Sequence, residues 1–246
     1  MWHNTRLLNA IADLLMLVGV VALLVAAGVW LVRFPALPVK EVVFRDALVH
    51  TQRSELAQVL PASLQGNFFS VSLEEVRATL ERLPWVRKAE VRRIWPAKLE
   101  VVLEEHKPLA RWGEARGELV NSYGEVFAAG ATSDDGAAMP LLYGPLGTAP
   151  EVLARYKVLA EVFQQVGEKP TQLILSPRLA WQLKLGNGML LDVGREQPKS
   201  TVMDRVQRFV EIYPERVASR AIKPAVVDLR YPNGFAMRIP SEGKGK

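Results

Sequence analysis

The sequence predicts an α+β fold in which an N-terminal transmembrane helix precedes two folded domains. Three observations support this prediction. A long uncharged apolar run lies near the start of the 246-residue chain, and a β-α-α-β-β pattern follows it within about 70 residues. The rest of the chain alternates strand patterns with two amphipathic helices, which predicts a mixed or antiparallel β-sheet domain with two helices.

The apolar run at residues 14–32 is predicted to cross a membrane. It holds 19 residues without a charge, and as a helix it spans about 28 Å, close to the hydrocarbon thickness of a bilayer. Trp30 and Phe34 stand where interfacial aromatics are found. A cleaved signal peptide has a shorter apolar stretch and a small-residue cleavage site. A single retained span at 14–34, after a short cytoplasmic tail at 1–13, is therefore the preferred interpretation.

The charges that flank the span leave its orientation open. Arg6 precedes the apolar run, whereas Arg33, Lys40 and Arg45 follow it. This excess of cations after the span does not favour a cytoplasmic N-terminus, although a long domain can be translocated regardless of charge.

Residues 37–107 are predicted to form the first folded domain, a sheet covered on one face by two helices. Proline ends both helices in this prediction, because it removes a backbone donor and clashes with the preceding turn. The predicted elements are a strand at Val39–Phe44, a helix at Thr51–Leu60 ended by Pro61, a helix opened by a capping box of Ser72 and Glu75 and stopped by Pro84, and a hairpin of Ala89–Ile94 and Lys98–Leu103 around Trp95-Pro96-Ala97.

Residues 108–240 are predicted to form the second domain, followed by a polar tail at 241–246. Glycine-containing turns separate its strands, and apolar stripes at helical spacing mark its helices. The predicted elements are strands with turns at Gly117 and Gly124, a mobile loop at Ala131–Met139, a helix at Pro150–Val166, a hairpin of Leu179–Leu185 and Met189–Val193 around Gly186-Asn187-Gly188, a helix at Lys199–Tyr213, and strands at Ala225–Tyr231 and Phe235–Ile239.

Residues suited to catalysis are few, and we predict no catalytic residue, no metal ligand and no cofactor. The chain has no cysteine and three histidines, none of which stands beside another ligand at metal spacing. Glu104 and Glu105 are neighbours on a predicted strand, so they point to opposite faces and cannot flank one bond. A hydrolase built from carboxylates of distant segments is the enzymatic alternative that stays open.

The basic cluster at Arg87, Lys88, Arg92 and Arg93 has two interpretations. With a net charge of +5, the chain could attract either nucleic acid or an anionic membrane surface. Strand alternation divides Arg92 and Arg93 between two faces, and Glu90 interrupts the run. A solvated strand face near anionic lipid is the preferred interpretation, and no nucleic-acid partner is predicted.

Several motifs resemble one family of proteins. They are "FPALPVKEVVF", "NFFSVSLEEVRATLERLPWVRKAEVRRIWPAKLEVVLEEHKPLARW", "GRE…MDRVQRFVEIYP" and "VVDLRYPNGFAMR". Together they resemble the FtsQ/DivIB family of bacterial cell division proteins over nearly the whole chain, and the first domain resembles a POTRA domain. The resemblance implies a non-enzymatic scaffold of the division septum, anchored once in the inner membrane with a cytoplasmic N-terminus and a periplasmic C-terminal part.

The final strand pair is the candidate functional site. A chain-terminal strand is often a sheet edge, whose unpaired backbone groups can accept a strand from another protein. The resemblance implies that FtsB, itself paired with FtsL, binds there, and that FtsK and other division proteins dock on the first domain at residues that the sequence does not identify. On matching positions the FtsB site comprises Arg195, Arg230, Tyr231, Asn233 and Gly234.

Alternatives to this site and function stay open at this point. Tyr231 could face the core, and Asn233-Gly234 could simply be a turn with positive φ. Met237-Arg238-Ile239 stands where the family has a more aromatic stretch, which leaves contacts beyond the turn unassigned. A POTRA-bearing transport or assembly protein is the second functional hypothesis, and a membrane-anchored cell-wall hydrolase is the third.

Overall fold

The computed structural model of the chain describes residues 5–33, 38–45, 47–113, 117–128, 139–231 and 234–239. The chain divides into two compact units, Met1–Glu105 and His106–Lys246. Of the loop predicted at 131–139, all but Met139 lies outside the described residues.

The first helix, α1, runs from Thr5 to Arg33. Its 23-residue stretch Leu8–Trp30 is long and apolar enough to cross a bilayer, and no other helix in the described part of the chain is. The large apolar side chains along this stretch are exposed rather than packed against protein. Such a surface suits lipid, because apolar side chains can face the hydrocarbon while the helix satisfies its backbone polar groups internally.

The remainder of the first unit has the predicted β-α-α-β-β order and a three-stranded sheet. The elements are β1 at Glu41–Phe44, α2 at Arg53–Ser63, α3 at Leu73–Leu80, β2 at Val86–Ile94 and β3 at Lys98–Glu105. In the sheet β3 is central, parallel to β1 and antiparallel to β2. Both helices contribute buried leucines to the core of this unit, where Leu56, Leu80 and Leu103 pack together.

Helix α2 does not end at Pro61 as predicted, and continues to Ser63. The proline lies in the last turn, where it removes one intrahelical hydrogen bond, that to the carbonyl four residues earlier, and little helix follows for it to disrupt. The carbonyl of Leu60 is still satisfied there, because it accepts the Ser63 hydroxyl at 2.9 Å and the Leu64 N–H at 3.2 Å. Helix α3 begins as predicted, with the Ser72 hydroxyl accepting the N–H of Glu75 at 3.2 Å.

The neighbouring acids Glu104 and Glu105 point apart and have separate structural roles. Glu104 forms an ion pair with Arg87 at 3.0 Å. The Glu105 carboxylate accepts the backbone N–H groups of Val49 at 2.9 Å and of Thr51 at 2.7 Å. Burial by itself raises the pKa of Glu105, but these hydrogen bonds lower it by more, so the folded-state pKa lies below that of an ordinary glutamate.

Replacing Glu105 by glutamine is expected to destabilise the first unit by about 2 kcal/mol at pH 7, because an amide turns an N–H group toward other donors. A lowered pKa contributes stability that is complete above the unfolded value, about 4.3, and is lost as pH falls through the folded value. The difference between wild type and E105Q should therefore be constant above about pH 5 and shrink in stronger acid. Hydrogen exchange of residues 49–51 measures it.

The matched control is Glu104→Gln, which removes the more exposed ion pair with Arg87. This ion pair should contribute less to the stability of the first unit than the backbone hydrogen bonds of Glu105 do. An equal loss in the two variants, or an E105Q effect that grows toward pH 3, would contradict this account.

The second unit is built on a nine-stranded mixed sheet with two helices. The strands are β4 at Pro108–Trp112, β5 at Glu118–Asn121, β6 at Val126–Ala128, β7 at Leu141–Tyr143, β8 at Pro170–Leu175, β9 at Ala180–Leu185, β10 at Leu190–Arg195, β11 at Val226–Asp228 and β12 at Ala236–Arg238. Their order in the sheet is β12-β11-β10-β9-β8-β7-β4-β5-β6. The helices are α4 at Ala149–Gln164 and α5 at Val202–Tyr213, the latter followed by a π-helical turn at Pro214–Ala218.

Helices α4 and α5 pack against each other and against the sheet. The ring of Phe163 in α4 lies 6.4 Å from that of Phe209 in α5, and both residues belong to the main hydrophobic core with Trp181 of β9. Strands β7 and β8, which the sequence analysis did not predict, complete the middle of the sheet by parallel pairing with each other.

Candidate functional site

The last strand, β12, lies at one end of the nine-stranded sheet. It pairs antiparallel with β11, with Val227 opposite Met237 and Asp228 opposite Ala236. Within the described residues no other strand pairs with it. Its outer edge is therefore available for a further strand.

The backbone of Met237 points away from the sheet. Leu190 N–H donates to the Ala225 carbonyl and Leu229 N–H donates to the Asp192 carbonyl, each at 2.9 Å, so the groups of Val227 between them turn toward β10, while the Ala225 N–H donates to the Arg238 carbonyl of β12. Backbone groups alternate along a strand. Those of the even-numbered residues of β11 consequently face β12, whose own even-numbered residues face back. The N–H and C=O of Met237 are the groups left on the outer edge.

One side-chain face of β12 holds the strand in place. Phe235 and Met237 are partly buried against the main core, whereas Ala236 and Arg238 are exposed. The ring of Phe235 meets that of Phe209 edge-on at 5.9 Å, a favourable aromatic geometry. Packing against the core therefore holds β12 in place, while its outer backbone groups stay accessible.

Arg230, just beyond β11, is held by two carboxylates. Its Nε and Nη2 donate to the two oxygens of Asp228 at 2.9 and 2.6 Å, and its Nε lies 3.5 Å from Asp192 Oδ2. The hydrogen bonds to Asp228, and then the charge of Asp192, raise the pKa of Arg230. A Cβ at Gly194 would lie 2.8 Å from Arg230 Cγ, so glycine is needed for this close approach.

Three further residues of the predicted site, Tyr231, Asn233 and Gly234, follow this arginine in the chain. Tyr231 is 54% exposed, so the alternative that it faces the core is wrong. A Cβ built at Gly234 meets no atom within 4 Å, which leaves open space beside the start of β12. Asn233 lies outside the described residues, and its predicted role is untested.

Arg195 ends β10 and shares a cleft with Arg230. The cleft has a volume of about 460 Å³ and is also lined by Arg178 and Asp192. Even with Asp228, which also pairs with Arg230, the three cations exceed the carboxylates, so the cleft is suited to acidic side chains. The structure thus brings Arg195 and Arg230 together and places exposed Tyr231 directly after Arg230 in the chain.

Arg205 supports this site and was missed by the sequence analysis. It is buried, and its Nε donates to the Val193 carbonyl at 2.9 Å, while its other nitrogens donate to the carbonyls of Arg195 and Ser200. Burial lowers the pKa of Arg205. Helical spacing could have revealed it, because position 205 lies on the same face of α5 as buried Val202 and Phe209.

Asp228 was also missed, although it stands two residues before Arg230, the spacing at which side chains of an extended segment lie on one face, and the two side chains are hydrogen-bonded. The spacing of the two charges, rather than the arginine alone, was the available signal.

The side chains of the basic cluster in the first unit form ion pairs and hydrogen bonds with other groups of the same chain. Arg87 pairs with Glu104 at 3.0 Å, Lys88 with Glu90 at 2.8 Å, and Arg92 with Glu100, while Arg93 donates to the Phe68 carbonyl at 2.8 Å. Across the parts of the chain that the structure describes, no group of three or more His, Cys, Asp or Glu could hold a metal ion.

The β12 site offers backbone groups for strand pairing, an exposed aromatic ring and positively charged side chains, and proteins use all three to recognise peptide partners.

Comparison with known proteins gives one consistent result. Residues 37–106 match the family "POTRA domain, FtsQ-type", and residues 110–230 match "Cell division protein FtsQ/DivIB, C-terminal". A protein named "Cell division protein FtsQ" from Burkholderia pseudomallei is 41% identical over 97% of this chain and 94% of its own length. Proteins of the same name from Nitrosospira multiformis and Neisseria gonorrhoeae are 40% and 32% identical, over 97% and 99% of this chain and 99% and 97% of theirs.

Proposed function

This chain belongs to the FtsQ/DivIB family of cell division proteins, and from this premise we propose that it is a scaffold of the division septum that works by protein–protein contacts, without catalysis. Helix α1 anchors it once in the inner membrane, with the N-terminus in the cytoplasm and both folded units in the periplasm. FtsB, paired with FtsL, adds a strand to β12. FtsK and other division proteins dock on the first unit.

The observation that best supports strand addition is the outward-facing backbone of Met237 on a strand that is pinned by Phe235. A guest strand would pair with these groups, and side chains beside the edge would select it. Tyr231 supplies exposed aromatic surface, and the arginine-lined cleft would accept acidic side chains of the same partner.

The direct test is titration of the full chain, held in lipid nanodiscs, with a labelled FtsB fragment. Saturable one-to-one binding that Tyr231 and β12 variants weaken is expected. Location in dividing cells tests the septal role separately. A fluorescent fusion should form a band at midcell, whereas uniform envelope signal would favour the transport or assembly hypothesis.

Replacing Tyr231 by alanine is expected to weaken FtsB-fragment binding about tenfold, because an aromatic anchor in an interface contributes about 1–2 kcal/mol or more. Thermal stability should hardly change, since more than half of this side chain is exposed. Fluorescence anisotropy in nanodiscs gives the dissociation constant, and a thermal melt gives the stability.

The matched control is Tyr123→Ala, which removes a tyrosine that is 59% exposed in the turn between β5 and β6. Affinity should be retained in this variant. Equal weakening by the two alanines, or none by Tyr231→Ala, would argue against an aromatic anchor next to β12.

A further inference from the structure

An exposed tryptophan marks the turn between β2 and β3. Trp95 is 79% exposed, and the preceding Ile94 is 36% exposed. Phe69 is a third apolar side chain at this end of the sheet, 44% exposed. Arg93, two residues before Trp95, holds the Phe69 backbone near this end of the sheet, because the guanidinium donates to the Phe69 carbonyl at 3.2 Å. Large apolar side chains exposed at the same end of a sheet mark a contact surface.

The same turn lies where the chain arrives from α1. Strand β1 begins with Glu41 opposite Lys98, and the N–H of Lys40 donates to the Ala97 carbonyl at 2.8 Å. Helix α1 ends at Arg33. Seven residue steps separate Arg33 from Lys40, which gives a maximum reach of about 25 Å. If α1 crosses a bilayer, the Trp95 turn is therefore tethered near the surface of that bilayer.

The end of the sheet that carries the turn has an excess of positive charge. Five cations stand against the carboxylates of Glu41 and Glu100, and three of the five form ion pairs with these acids, so a net positive charge remains. Anionic lipid headgroups attract basic segments at this range, and tryptophan prefers the membrane–water interface, where one part of the ring is apolar and the N–H is wet. The cations are Lys40, Arg45, Arg92, Arg93 and Lys98.

We propose that the Trp95 turn is a lipid-binding site. Trp95, with Ile94 and Phe69, enters the headgroup region of the bilayer that α1 crosses, and the net positive charge around the turn attracts anionic lipid. The first unit is then held to the membrane at two points, the α1 connection and this turn. The inference depends on α1 as a membrane span and is independent of strand addition at β12.

The absence of native cysteine allows a direct test. Trp95→Cys and Val49→Cys place a single thiol at two residues that are both 79% exposed. Val49 is at the opposite end of the sheet, because its N–H donates to Glu105, and β3 separates the two ends by about 23 Å. Each full-length variant is labelled with the same environment-sensitive nitrobenzoxadiazole dye and placed in nanodiscs of phosphatidylcholine with about 30% phosphatidylglycerol, a content at which anionic lipids give a surface potential.

Dye at position 95 should emit at shorter wavelength and be quenched at least about twofold by doxyl-labelled lipid, whereas dye at position 49 should show neither effect, as expected for an interfacial and an aqueous site. Equal responses at the two positions would overturn the proposal. A water-exposed dye at position 95 would do the same, and would fit a turn that is open for a protein partner instead.

A second measurement avoids the dye. Trp95→Phe in the otherwise unchanged full chain should lower the fraction of tryptophan fluorescence that doxyl lipid quenches, with a larger drop in nanodiscs containing phosphatidylglycerol than in phosphatidylcholine alone. The melting temperature should stay the same, since the ring is exposed. An unchanged quenched fraction in both lipid mixtures would refute lipid contact even where folding and FtsB-fragment binding are intact.

Discussion

Proline at Met237 is expected to weaken FtsB-fragment binding by about 10- to 100-fold, because an added strand would leave one of its carbonyls unpaired at a cost of about 1–3 kcal/mol. The N–H that proline removes points away from the sheet, so the pairing between β11 and β12 does not use it. Proline is tolerated on edge strands whose N–H faces solvent. Fluorescence anisotropy in nanodiscs gives the affinity.

Alanine at the same position separates the backbone from the side chain. Met237→Ala keeps the outward N–H and loses the partly buried thioether, so it should retain most of the affinity. Both variants should keep the circular dichroism spectrum of the wild type. If proline and alanine bind the fragment equally well, backbone pairing at this edge is not the mode of binding, and a side-chain contact would have to replace it.

Local signals predicted those elements whose partners are close in sequence. Gly186-Asn187-Gly188 marked the hairpin of β9 and β10, and the two strands pair across that turn as expected. The Ser72 cap predicted for α3 forms, with its side chain accepting the N–H of Glu75, whereas the capping box of Thr201 and Asp204 was not recognised and α5 was predicted from Lys199. Turn and cap chemistry is local, so the sequence carries it directly.

Strand β7 was missed because its pairing is not local. It is parallel to both β4 and β8, and parallel strands need a long connection rather than a turn that could mark them. Strand β8 was missed as well, although it also pairs antiparallel with β9 across a short turn. Strand β7 has only three residues, Leu141–Tyr143, too few to show alternation. The sheet was therefore predicted with its two ends in place and its middle incomplete.

In the candidate site too, local sequence signals predicted some residues and missed those that come from distant parts of the chain. Arg230 and Tyr231 were found through a motif, and their exposure agrees with a role in recognition. The Asp192 and Gly194 contacts of Arg230 come from β10, more than thirty residues earlier in the chain. No local pattern predicts which strands lie side by side, so the environment that fixes the arginine could be seen only in the fold.

Replacing the buried Arg205 by alanine is expected to lower the unfolding free energy of the second unit by about 3 kcal/mol, because three carbonyls lose their donors and a cavity forms. The carbonyls belong to Val193, Arg195 and Ser200. For a unit of this size the melting temperature should fall by about 10 °C. Since Arg205 fixes the end of β10, Arg195 should also lose its position, and FtsB-fragment affinity should fall at temperatures where the unit is still folded.

Two variants identify the cause of that loss. Arg205→Met keeps most of the volume without any donor and should still cost about 2 kcal/mol, the part that comes from unpaired carbonyls. Arg216→Ala, an exposed arginine in the π-helical turn, should change stability by less than about 0.5 kcal/mol. If Arg205→Met were as stable as wild type while Arg205→Ala was not, packing alone would explain the buried arginine. Its hydrogen bonds would then have no part in holding β10 beside the edge where the partner strand is expected.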